Sequence, residues 1–148
     1  MKKRVVIVAL LLCLPSIAPT RASEPATVSA VDSVGMTVSD MDRAVEFYTS
    51  VLMFTRVSDE EVSGRDYELL TGVFGARMRV VRLALGDERI ELTEFLAPRG
   101  RPIPPDVRAN DRVFQHIAII VSDMDAAYQR LRRFNIAHAS SGPQELPE

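Results

Sequence analysis

Two side chains in this 148-residue sequence combine reactive chemistry with strand-like surroundings. The imidazole of His116 opens the apolar run Ile117-Ala118-Ile119-Ile120-Val121, and the carboxylate of Glu91 lies between Ile90 and Leu92. An imidazole with carboxylates suits a divalent transition ion, and carboxylate oxygens also suit harder ions. Such an ion, with open positions, polarises a carbonyl and stabilises an enolate-like oxygen. A nearby carboxylate can carry a proton to or from the same substrate.

A repeat sets the positions of these groups. Val38-Ser39-Asp40-Met41-Asp42 recurs as Val121-Ser122-Asp123-Met124-Asp125, 83 residues later. Each copy follows an apolar strand-like run and opens a helix-like one, so the chain holds two copies of one supersecondary unit. With that offset Ser33 is the counterpart of His116. Alternation puts Ser33, Gly35 and Thr37 on one strand face and Val34, Met36 and Val38 on the other. In the second copy His116, Ala118 and Ile120 share a face, and Ile117, Ile119 and Val121 back onto a helix. Glu91 points away from the helix-backed pair Ile90/Leu92, while Glu94 has the opposite parity.

The elements that hold these residues follow from periodicity. Residues 31–38 alternate as a strand. Ser39 is the expected N-cap of a helix whose stripe is Met41, Ala44, Val45, Tyr48 and Val51. A strand near 55–58, a turn at 63–66 and a short helical excursion over 67–74 follow. Residues 77–85 and 88–96 form a hairpin around Gly86-Asp87. Four prolines between 97 and 111 mark an extended linker. Residues 112–121 are expected as the second first-strand. Ser122 caps a second helix with the stripe Met124, Ala127, Tyr128, Leu131 and Phe134, and 136–139 starts another strand. The fold class is α+β: a βαβββ module, then an incomplete second module. The expected division is 1–22 signal peptide, 23–30 tether, 31–98 first module, 99–111 linker and 112–148 the truncated second module.

Composition narrows the function. Lys2, Lys3 and Arg4 precede ten apolar residues and Thr20-Arg21-Ala22. That is the pattern of a cleaved export signal, too short to span about 30 Å of hydrocarbon, and it implies a periplasmic or secreted protein. Cleavage removes the single cysteine, Cys13, and with it any disulfide or thiolate metal site. Basic residues fall from 18 to 14 against 20 acids, a formal net charge of −6. An acidic surface without tryptophan argues against nucleic acid and anionic membrane as partners.

Val34-Gly35-Met36-Thr37-Val38-Ser39-Asp40-Met41-Asp42-Arg43-Ala44-Val45-Glu46-Phe47-Tyr48, with Leu52-Met53-Phe54, resembles the opening of a vicinal oxygen chelate module. This is the glyoxalase, bleomycin-resistance and extradiol dioxygenase superfamily. Glu88-Arg89-Ile90-Glu91-Leu92 is similar to that module's fourth strand, and the run from Phe114 to Asp125 to the start of a second module. The resemblance covers about residues 29–140. It implies metal ligands from the first and fourth strand of each module, which map here to Ser33, Glu91 and His116, with the fourth expected beyond Glu148. It implies zinc, nickel, manganese or iron as the ion and a small oxygen-rich molecule as the ligand. Glu91 would be the catalytic carboxylate. Ser33 departs from the pattern, because a neutral hydroxyl is a poor ligand for such ions; two protein ligands in this chain bind weakly, and three can make a catalytic site.

Three functions follow: a metal-assisted lyase, isomerase or dioxygenase-like enzyme; a metal-free module that sequesters a small hydrophobic ligand; or an inactive truncated remnant. Against the first stand plainer roles: His116 bonded to a backbone carbonyl, Glu91 in a salt bridge to Arg79 or Arg82, Arg77 and Arg79 on an exposed strand face, His138 on the surface without a partner, and Phe47, Tyr48 and Tyr128 in the core. An exposed sheet edge makes pairing with a second copy of the chain a further expectation.

Overall fold

The computed structural model describes residues 28–108, 110–113 and 116–145. The expected signal peptide and most of the tether lie outside them. Val31–Glu148 form one compact unit. Its centre is a four-stranded mixed sheet in the order β1-β4-β3-β2. The strands are β1 (Val34–Thr37), β2 (Thr55–Ser63), β3 (Arg77–Leu85) and β4 (Glu88–Ala97). β1 runs parallel to β4, and the other two pairs are antiparallel.

One face of the sheet is closed by α1 (Met41–Glu46), which continues into a π-helical turn over Phe47–Val51. Met41, Phe54, Val81, Leu83, Ile90 and Leu92 form the buried core beneath it, and Met36, Val38, Ala44, Val45 and Tyr48 pack around them. Met36, Val38, Met41, Ala44, Val45, Tyr48, Ile90 and Leu92 are residues whose alternation or helical spacing marked them as inward, so the hydrophobic effect acts on the pattern there as written. Tyr48 meets Phe54 edge-on at 5.4 Å, and burial pushes its hydroxyl pKa up.

Asp40, not Ser39, caps α1, accepting from the Arg43 N–H at 3.0 Å. Asp123 does the same for α3 (Met124–Arg133), accepting from Ala126 N–H at 2.9 Å. Both helices therefore start one residue later than expected. The carboxylate takes the N3 amide, and its charge favours the positive helix end.

Other boundaries moved as well. β2 runs to Ser63 rather than stopping near 58, because it pairs with β3 along almost its full length, past an irregularity at Arg56/Ser58. The helical excursion is α2 (Arg65–Thr71), and it stops at Gly72, whose φ of 68° is a left-handed cap that glycine adopts without strain. β1 is only four residues long, so Ser33 stands just ahead of its ladder.

The largest departure is in the second copy. Residues 116–121 and 136–139 carry no strand, although α3 forms as expected. A strand exists only through ladder partners, and the described residues supply none to these segments. Their alternation survives without a ladder: Ile117 and Ile119 pack against the core while Ile120 is 99 % exposed. Arg130 ties α3 to the π-helical turn by donating to the carbonyls of Val51 and Ser50 at 2.8 and 2.6 Å.

Candidate functional site

The face of the sheet turned away from α1 carries a hollow of about 270 Å³, bordered by α2. Strand register builds it. Ser58, Arg82, Glu91 and Gly35 are successive partners across all four strands, and Glu60, Val80, Thr93 and Thr37 form the next row. Period-two alternation puts Glu91 here because Ile90 and Leu92 fill the core on the other face. Glu94, with the opposite parity, takes the Met41 N–H at 3.0 Å and serves the start of α1.

Arg82 is the cation of this hollow. Its Nε donates to Glu91 Oε2 at 2.9 Å. The hydrogen bond to Glu91, and then the Glu91 charge, hold the Arg82 guanidinium pKa above its ordinary value. This is one of the plainer roles weighed for Glu91, and Arg82 rather than Arg79 fills it. Arg79 lies on the helix-side face, where Nε and one terminal nitrogen clasp Asp59 at 2.8 Å each and the other reaches Asp42 at 2.7 Å. Hydrogen bonding from Arg79 draws the Asp59 carboxyl below the usual carboxylate range. Arg77 pairs with Glu61 at 2.7 Å.

His116 lines a different and larger space, an apolar groove of about 1370 Å³ between β1, the π-helical turn and residues 116–143. Gly35 lines that groove too, and it is the ladder partner of Glu91. One glycine position thus lies between the two spaces. His138 is exposed as expected but not alone, since its ring lies 5.0 Å from that of Tyr128. The Tyr128 hydroxyl donates to the Ser141 carbonyl at 3.0 Å.

The donors expected for a divalent ion are therefore spread out. Glu91 carries a guanidinium, Ser33 precedes the strand, and His116 lines the other space. Among the described residues no three His, Cys, Asp or Glu groups come together. That donor set does not fit a resident divalent cation, because the donors are apart and the guanidinium on one Glu91 oxygen repels a second positive charge. In the sequence Arg82 stood only as one of two candidate partners for Glu91. The signal for it was its cross-strand position opposite Glu91, which needs the β3–β4 register to be known.

A four-stranded mixed sheet with one helix-covered face and one open face is the α+β architecture of the βαβββ unit. The chain belongs to the Glyoxalase/Bleomycin resistance protein/Dioxygenase superfamily, whose pattern matches residues 30–140. It is similar to 2-epi-5-epi-valiolone epimerase of Actinomyces sp., 39 % identical over 108 residues. That match takes in 70 % of this chain and 57 % of the relative, so the chain spans little more than half of that protein's length. Its fold is similar to that of a crystallised glyoxalase family protein from Bacillus cereus: TM-score 0.68, 22 % identity, 76 % of each chain covered.

Proposed function

We propose that the protein is an isomerase-like enzyme that inverts a carbon next to a carbonyl in a small oxygen-rich molecule. The observation that carries this is Glu91, a partly shielded carboxylate on the open face of the sheet, lining a hollow together with Ser58, Thr71 and Thr93. An acid carbon inverts by losing a proton to a base and regaining one on the other face, and a positioned carboxylate contributes about 10²- to 10⁴-fold to such a transfer. The similarity to an epimerase supports the same reaction class. Metal assistance, expected from the resemblance, would require ligands beyond those described.

The test is deuterium exchange. The full chain is incubated with 2-epi-5-epi-valiolone in D2O, and incorporation at the inverting carbon is followed by NMR. Exchange is expected, with a loss of about 100-fold or more in Glu91→Gln. Exchange unchanged by that substitution, or none at all, would sink the reading. A metal-free binding module is the second reading, favoured by the apolar groove that Met36, Val38, Tyr48 and Leu52 line. It predicts ligand uptake without exchange.

A further inference from the structure

Three observations on the open face of the sheet converge on Arg82. It is the direct cross-strand partner of Glu91, and its Nε holds that carboxylate at 2.9 Å. Its two terminal nitrogens have no hydrogen-bond partner among the described residues, and its side chain is 53 % exposed while that of Glu91 is 27 % exposed. A guanidinium is a planar fork with five donors, so one edge is spent on orientation and the rest remains for a ligand. The charged groups around the hollow are Glu60, Glu91 and Arg82. Two carboxylates outnumber one cation, which disfavours a multiply charged phosphate and leaves a single oxygen, neutral or turning negative, as the partner for those nitrogens.

We propose that Arg82 is a catalytic residue of this hollow, supplying the positive charge for a carbonyl oxygen that turns negative as Glu91 takes the proton, in place of a resident divalent metal. The ligand class is a neutral carbonyl compound with a hydrogen on the adjacent carbon. Glu91 removes that hydrogen as a proton, and the C–H electron pair becomes the new C=C bond. The C=O π pair moves onto oxygen, where the Arg82 N–H groups receive it. Reprotonation from water on the opposite face reverses these shifts with the centre inverted, and Glu91 releases its proton to solvent. Proton count and charge balance, and nothing is oxidised or reduced. Arg82 also orients the carboxylate it serves, since the Nε bond pins one oxygen and leaves the other for the proton.

The inference rests on the proton-transfer reading of Glu91, so its test has two readouts on the chelator-treated full chain. The first is exchange with 2-epi-5-epi-valiolone. Arg82→Met is expected to lower kcat about 100-fold or more with KM moved less, as for loss of an oxyanion donor, and Arg82→Lys is expected to restore part of it. The second is binding of 4-nitrophenolate, a stable oxyanion, followed by its absorbance shift. Binding should weaken about tenfold or more in Arg82→Met, strengthen in Glu91→Gln, and need no added zinc, manganese or nickel. Phenolate binding indifferent to Arg82, or exchange that requires added metal, overturns the proposal. Arg82-dependent phenolate binding without exchange upholds the Arg82 role and sinks the isomerase reading instead. Circular dichroism and melting of each variant separate a lost charge from a lost fold.

Discussion

The motif Ser-Asp-Met-Asp occurs twice, and its two copies lead different lives. Asp40 and Asp123 cap their helices alike, at 3.0 and 2.9 Å. The methionines that follow diverge: Met41 is 1 % exposed and Met124 is 59 % exposed. Asp42 bonds Arg79 at 2.7 Å, whereas Asp125 has no ion pair among the described residues. The first copy has a whole sheet under its helix; the second, among the described residues, is tied to the flank of the π-helical turn through Arg130. Capping is a local bond between residues three apart and survives in either setting. Burial needs a partner surface, and the motif does not bring one.

The methionines give the largest contrast. Met41→Ala should destabilise by about 3 kcal/mol, as for truncation in a closed core, and Met124→Ala by less than about 0.5 kcal/mol, as for a surface change. Urea unfolding followed by circular dichroism measures both. Equal losses would mean that the second copy is as well packed as the first.

The ion pairs come next. Asp59→Asn should cost roughly 1 kcal/mol at neutral pH, a modest value suited to a partly exposed network. Asp59 has its folded pKa lowered, chiefly by hydrogen bonding from Arg79. Its contribution is therefore present above the ordinary carboxylate value of about 4 and is lost as pH falls through the lower folded value. The gap between wild type and Asp59→Asn should close as pH falls through that lowered folded value. Asp42→Asn should cost less, since Asp42 is the more exposed partner, and Asp125→Asn nothing measurable. A gap that widens in acid would contradict the assignment.

The caps give the smallest difference. Asp40→Ala should lower global stability by about 1 kcal/mol. Asp123→Ala should lower it by less than half as much, because α3 frays without opening the core. Amide hydrogen exchange in Met41–Glu46 and Met124–Arg133 reads the two helices separately.

Much of the first unit was legible. The alternation of β4, the Gly86-Asp87 turn and the stripe of α1 encode burial directly, so core residues such as Met41 and Leu92 fall where period and polarity put them. Glu91 on the open face and Glu94 on the helix face follow from the same parity. The cap residue was missed by one position in both copies, since serine and aspartate are near-equal caps and only backbone geometry chooses between them. Arg82 was visible only as one of two candidate partners for Glu91, because cross-strand neighbours depend on register. The clasp of Arg79 on Asp59 and Asp42 joins three elements and has no signature in local spacing.

The order of apolar and polar residues alone determined the first βαβββ unit, the two helices that follow the repeated motif and the side of the sheet on which Glu91 stands, because those depend on periods of two and 3.6. Which groups meet was decided by tertiary structure. It put a guanidinium beside Glu91, set His116 along a separate groove, and left residues 116–121 without a ladder. Each of those outcomes depends on a partner distant in the chain, and periodicity carries no information about partners.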